Sequence, residues 1–175
     1  MSKVKWTLDP AHSEIEFKVR HMMISNVKGS FDSFNAEIDG EDFQSGKIHV
    51  EVDTSSINTG QEDRDKHLES KDFFDVAQYP KIIFEGEKML KKSENSYVLE
   101  GKLTIRDITK PLSLNVEYGG MQKDPWGNEK AGFSIDGKFN RKDWGLGWNT
   151  VLETGGLMVG EEVKINAEVQ FAKQA

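Results

Sequence analysis

Apolar and polar residues alternate with a period of two along nearly the whole chain, and this restricts the fold more than any other feature. Between Asp9 and His21, Ile15, Phe17 and Val19 alternate with Glu14, Glu16, Lys18 and Arg20. Successive side chains of an extended chain point to opposite faces, so the segment reads as a strand with one greasy and one wet face. The pattern returns at Ile48, Val50 and Val52, at Leu99, Gly101, Leu103 and Ile105, and at Leu112, Leu114, Val116 and Tyr118. It returns again at Phe133, Ile135, Gly137 and Phe139, and at Val163, Ile165, Ala167, Val169 and Phe171. Segments near Phe31 to Ile38 and Ile82 to Phe84 bring the expectation to about eight strands.

The links between these segments predict antiparallel neighbours. "KKSENS" (Lys91 to Ser96) and "RDITKP" (Arg106 to Pro111) are short and rich in turn formers, as hairpins require. Longer loops are expected at "GGMQKDPWGNEK" and "ETGGLMVGEE". Only Thr59 to Tyr79 breaks the period. There Thr59 and Glu62 fit a capping box, and Arg64, His67 and Leu68 share a helical face, which predicts a short helical insertion near residues 60–79. Asp72 with Asp75 suggests a second turn carrying Phe73 and Phe74 toward the apolar interior, and Asn140 or Asp143 suggests another leading into Trp144 and Trp148.

The class is therefore all-β and antiparallel, and alternation alone fits a closed barrel or a two-sheet sandwich. Gly101, Gly137, Ala131 and Ala167 share the parity of the large apolar residues. That favours a barrel whose interior is incompletely filled. The same mixture of small and large residues also packs a dry core.

Composition narrows the function. A chain of 175 residues suits one domain, spanning 1–175. The net charge of −7 argues against nucleic acid and anionic lipid surfaces, and no apolar run reaches bilayer length, so integral membrane association is not expected. The amino terminus "MSKVKWTLDP" shows no apolar signal region, which predicts a cytoplasmic protein. With no cysteine, disulfides, thiolate metal sites and cysteine nucleophiles drop out. There is no G-x-S-x-G elbow, Walker loop or dinucleotide fingerprint, so no catalytic residue and no cofactor are assigned. "GGLMVG" reads as a turn, and Glu161 with Glu162 as a solvated strand start.

His21 has inward parity and His49 outward parity, while His12, after "DP", is placed to cap or to brace the first strand. A zinc site would need His12, His21 and His67 to converge with Asp9 or Asp65, and no compact ligand spacing is present. No metal is assigned.

Six stretches carry a more specific signal: "WTLDPAHSEIEFKVRH", "VKGSFDSF", "SSINTGQEDRDKHLESKDFF", "YPKIIFEG", "GKLTIRDITKPL" and "NRKDWGL". Through them the chain, from Trp6 to about Phe171, resembles the YceI-like family of lipid-binding proteins. The resemblance implies an eight-stranded lipocalin-like antiparallel barrel holding a long polyisoprenoid chain, with the polar head near the mouth. Parity then nominates Phe17, Val19, Val50, Leu99, Leu103, Leu114, Val116, Phe133 and Ile135 as lining residues, with His21 inward. Phe73, Phe74, Trp144 and Trp148 are lid or rim candidates, and Arg106, Lys110 and Arg141 are head-group candidates because they donate charge-assisted hydrogen bonds.

Several relatives look exported, whereas this chain shows no signal peptide, which favours storage, buffering or stress-related sequestration over periplasmic carriage. The expected partner is a long-chain isoprenoid or another apolar lipid. An enzyme acting on a bound lipid through His21 or His67, and a dry-cored structural protein, stay open as alternatives. A homodimer would need an exposed apolar strip, and none is evident in the sequence.

Overall fold

The structure is a computed structural model and describes residues 4–21, 24–40, 42–146 and 159–174. Among these, eleven strands form one antiparallel sheet. They are β1 (Lys5–Leu8), β2 (Glu14–His21), β3 (Ser25–Phe31), β4 (Phe34–Asp39), β5 (Lys47–Asp53) and β6 (Ile57–Asn58). After helix α1 (Glu62–Glu69) come β7 (Lys81–Lys91), β8 (Ser96–Ile105), β9 (Ile108–Lys123), β10 (Glu129–Asn140) and β11 (Val159–Gln174). Eight of them close a barrel in the order β1, β4, β5, β7, β8, β9, β10, β11, because β11 pairs with both β10 and β1.

Closure depends on the length of β11. Its carboxy-terminal part pairs with β1, ending at Leu8 opposite Phe171, and its amino-terminal part pairs with β2, from Glu168 opposite Glu14 to Val159 opposite His21. So β1 and β2 lie end to end along one edge, separated by a 3-10 turn at Pro10–His12 that Asp9 caps by accepting from the Ala11 amide at 3.1 Å. The next strands mirror this: β3 pairs with β2, and β4 pairs with β1. The predicted strand from Phe31 to Ile38 is accordingly two strands broken at Asp32 and Ser33, and β2, β3 and β6 extend the wall beyond the barrel.

Other expectations change in detail. The long loop expected at "GGMQKDPWGNEK" is mostly strand. Only Asp124 to Asn128 turn, with the Asp124 carboxylate accepting from the Trp126 and Asn128 amides at 2.9 Å each. A register shift between Gly132 and Phe133 interrupts the period of two there, which hid the strands from pattern reading. In "ETGGLMVGEE", β11 begins at Val159, and the part before it lies outside the described residues.

The predicted capping box at Thr59 and Glu62 does not form, since Gln61 is the N-cap. Asp65 takes the bonding role instead, accepting from the Thr59 amide at 2.9 Å and the Thr59 hydroxyl at 2.5 Å. No second helix starts at Asp72. The chain turns there, with Asp75 at a φ of 50°, and still carries Phe73 and Phe74 inward. A 3-10 turn at Arg141–Trp144 does follow β10, capped by Asn140 accepting from the Lys142 amide at 3.0 Å.

The inward glycines do not leave empty space. A Cβ on Gly101 would lie 2.6 Å from the Phe84 ring, and one on Gly137 would lie 2.5 Å from a Leu114 methyl. These positions are small because a neighbour already occupies the volume.

Candidate functional site

The inward faces enclose an apolar cavity of about 280 Å³. All nine residues nominated by parity border it: Phe17 and Val19 from β2, Val50 from β5, Leu99 and Leu103 from β8, Leu114 and Val116 from β9, and Phe133 and Ile135 from β10. Phe73 and Phe74 border it as well. Sequence reasoning passed over Phe31, Phe34, Ala36 and Ile38 as lining residues, although Phe34, Ala36 and Ile38 keep strand parity. It also missed Phe43, which lies between β4 and β5 and has no periodic signal.

Strand directions separate two ends. One carries the β4–β5, β7–β8 and β9–β10 connections. There Phe43 reaches inward and meets side chains from three strands, with ring centroids 5.2 Å from Tyr97, 4.8 Å from Tyr118 and 4.9 Å from Phe133. Such tilted and edge-to-face arrangements are the favoured aromatic geometries.

The other end carries α1, the β8–β9 turn, the end of β10 and the start of β11. Among the described residues its apolar cover includes Leu68, Phe73 and Phe74, with Phe74 edge-on to Phe31 at 5.9 Å and Phe31 5.5 Å from Phe17. Polar bonds anchor this cover. Besides the Thr59 to Asp65 pair, Arg64 donates to the Thr59 hydroxyl at 2.7 Å and to its carbonyl at 2.8 Å. Buried Thr54 donates to the Tyr79 carbonyl at 2.9 Å. Gly29 lets the Phe17 ring pass, since a Cβ there would stand 2.4 Å from it.

The head-group candidates fall in different places. Arg141 is buried at the cavity edge, and its guanidinium donates to the carbonyls of Gly160 at 2.8 Å, Val159 at 3.2 Å and Leu146. Its burial favours loss of charge, the nearby Glu161 opposes this, and the pKa falls below the usual arginine range. Arg106 sits in the β8–β9 turn at a φ of 57°, 5.7 Å from the Tyr79 ring centre and 3.5 Å from the Gly145 carbonyl. Lys110 is exposed near the same end. Neither Arg106 nor Lys110 borders the cavity.

Trp144 also stands back from the cavity, contrary to its nomination as lid or rim. Its indole donates to the Leu103 carbonyl at 2.8 Å and its ring packs against Phe139 at 5.1 Å, so it is a buried part of the core beside the cavity. Trp148 and the His21 side chain lie outside the described residues.

A second hollow, of about 360 Å³, lies where β1 and β4 hand over to β2 and β3. Glu14, Glu16, Asp32, Ser30 and Ser33 give it a polar outer lining, and it shares Ile15, Phe31 and Phe34 with the apolar cavity.

The remaining histidines pair separately with carboxylates. His12 faces Asp9 at 2.8 Å and His67 faces Asp72 at 2.9 Å, while His49 on the outer wall lies between Glu51 at 3.2 Å and Glu85. Burial opposes the charge on His49, but hydrogen bonds to the two glutamates outweigh it and raise its pKa. Asp9 also binds Lys130 at 2.7 Å, and hydrogen bonds from Lys130 and His12 bring its pKa down to about 2. Among the described residues no group of three or more histidines or carboxylates is placed to hold a metal ion, and no helix is long and apolar enough to cross a membrane.

A closed antiparallel barrel around an apolar cavity, covered by a short helical excursion, is the class of molecule defined here. Residues 6–171 match the YceI-like domain, and the chain belongs to that family. A UPF0312 protein of Staphylococcus aureus is 42% identical over 170 residues, covering 95% of this chain and 96% of that protein. The YCEI protein of Campylobacter jejuni, whose crystal structure is known, is 32% identical with a TM-score of 0.76, covering 89% of this chain and 90% of that one. A polyisoprenoid binding domain from Saccharophagus degradans shares the fold at 14% identity and a TM-score of 0.68, covering 95% and 97% of the two chains.

Proposed function

We propose that the protein binds a polyisoprenoid or a similar long apolar chain inside the barrel and sequesters or carries it chemically unchanged. The observation behind this reading is the cavity between the strands, which exposes only apolar surface and so suits an apolar chain. Each CH2-sized group entering gains about 0.8 kcal/mol, and no polar partner is required along the chain. The polyisoprenoid binding domain of S. degradans, built on the same fold, supports this choice of ligand class.

The head group belongs at the α1 end, where Arg106 and Lys110 supply cations outside the cavity. Arg141 is a weaker candidate, because backbone carbonyls already occupy its donors. Of the two histidines named for an enzyme acting on the bound lipid, His67 pairs with Asp72 at 2.9 Å and does not border the cavity.

Organic-solvent extraction of protein purified without detergent, followed by mass spectrometry, tests the reading. A near-stoichiometric isoprenoid or other long-chain molecule per protein is expected. Absence of lipid, together with failure to take up added isoprenoids, would overturn it.

A further inference from the structure

We infer that Phe43 sets the length of the chain that the cavity accepts; this rests on the lipid-binding reading above. Phe43 is the lining residue that the β4–β5 loop supplies at the end opposite α1, and its ring spans β8, β9 and β10 through Tyr97, Tyr118 and Phe133. A chain inserted tail first from the α1 end therefore stops against this ring.

The stop is held by a preformed turn. The Asp42 carboxylate accepts from the Gln44 and Ser45 amides at 2.9 Å each and from the Ser45 hydroxyl at 3.0 Å. These hydrogen bonds, the one from the Ser45 amide above all, also keep the Asp42 carboxyl below the ordinary carboxylate range. The Gly46 amide donates to the Asp42 carbonyl at 3.0 Å, and the Gly40 amide donates to the Val4 carbonyl at 2.9 Å. Gly46 must be small, because a Cβ there would lie 2.7 Å from Ile38. Next to the stop, Gln44 donates to the Tyr97 hydroxyl at 3.2 Å and closes the loop over the ring cluster.

Because Phe43 comes from a loop, its side chain can change without removing a ladder hydrogen bond from the barrel wall. Phe43→Ala deepens the cavity at that end, and Phe43→Trp makes it shallower. The space gained by the alanine variant is roughly one isoprene unit, more than the two methylenes that already supply about tenfold in affinity.

The test measures dissociation constants of geraniol, farnesol, geranylgeraniol and solanesol for wild type, Phe43→Ala and Phe43→Trp, with circular dichroism and thermal melting to establish folding. The length at which affinity stops rising should move up in Phe43→Ala and down in Phe43→Trp, with at least a tenfold change for the alcohol nearest the wild-type limit. If Phe43→Ala fails to fold, Phe43→Leu replaces it and should move the limit in the same direction by less. An identical limit in all folded variants that still bind would overturn the inference and leave the lipid-binding reading intact. Failure of wild type to bind any alcohol would refute the lipid-binding reading and the length limit together.

Discussion

The two ends of the barrel are sealed by different kinds of interaction. At the Phe43 end the seal is aromatic, with Phe43 against Tyr97, Tyr118 and Phe133, Tyr118 also against Phe133, and Phe171 6.0 Å from Phe133. At the α1 end an apolar cover of Leu68, Phe73 and Phe74 is tied down by polar bonds around Thr59, Asp65 and Arg64. No residue of α1 itself is buried. Opening the first end means unpacking the aromatic cluster, whereas opening the second breaks a few hydrogen bonds and unseats Phe73 and the half-buried Phe74. Segments with little buried apolar contact are the ones that open locally at low cost, so the α1 end is the one expected to open first.

The largest test attacks the aromatic end. Phe133→Asp places a carboxylate in an apolar cluster without a partner. It should destabilise the protein by more than about 4 kcal/mol and abolish lipid retention, as read by urea unfolding and lipid extraction. An equally stable variant that kept its lipid would remove Phe133 from the binding cavity. At the other end, Phe74→Ala truncates a half-buried ring, and the expected loss is about 2 kcal/mol, below the range for a fully buried phenylalanine. Its lipid should also exchange faster in stopped-flow displacement. If Phe133→Ala accelerated exchange more than Phe74→Ala, the assignment of the opening end would be reversed.

Asp65→Ala removes the acceptor that holds Thr59, and about 1 to 2 kcal/mol of stability should go with it. Lipid release should speed up here too, with the bound length distribution unchanged.

Asp9 lies between the two ends, in the seam between β1 and β2, and supplies a pH test. Its folded pKa of about 2 lies below the usual 3.8, so its contribution is present above about pH 4 and is lost as pH falls toward 2. Asp9→Asn should lower stability at neutral pH by up to about 2 kcal/mol and flatten the acid limb between pH 4 and 2. Equal acid limbs in both proteins would exclude this seam as a source of acid sensitivity.

The smallest effect belongs to His49, on the outer wall. Its raised pKa means that its contribution is complete below about pH 6.5 and disappears as pH rises through the folded value. The pair is half-exposed, so His49→Gln should cost only a few tenths of a kcal/mol at pH 6 and less at pH 9.

Side-chain parity is a local property of an extended chain, and it was readable directly. Nine strand residues nominated as lining by alternation border the cavity, from Phe17 on β2 to Ile135 on β10. The turn at Lys92 to Asn95 was equally legible, because turn formers act within a few residues, while of the link expected from Arg106 to Pro111 only Arg106 and Asp107 turn and Ile108 to Pro111 join β9.

Decisions that involve distant segments were not readable. Alternation left barrel and sandwich equal, and closure came from Leu8 pairing with Phe171 across almost the entire chain. The end-to-end placement of β1 and β2 on one edge of β11, and the bulge at Gly119 of β9, are matters of register that no local pattern encodes. Phe43 carries no periodic signal because it sits in a loop, and its place is set by the three strands that converge on it. Arg141 could be read as a cation awaiting an anion, and only the folded chain turns its guanidinium toward the carbonyls of Leu146, Val159 and Gly160. The amino-acid sequence by itself determined which face of each strand is apolar, since that needs only the geometry of one strand. The tertiary structure decided where the cavity ends and which groups seal it, since both depend on how strands far apart in sequence are brought into register.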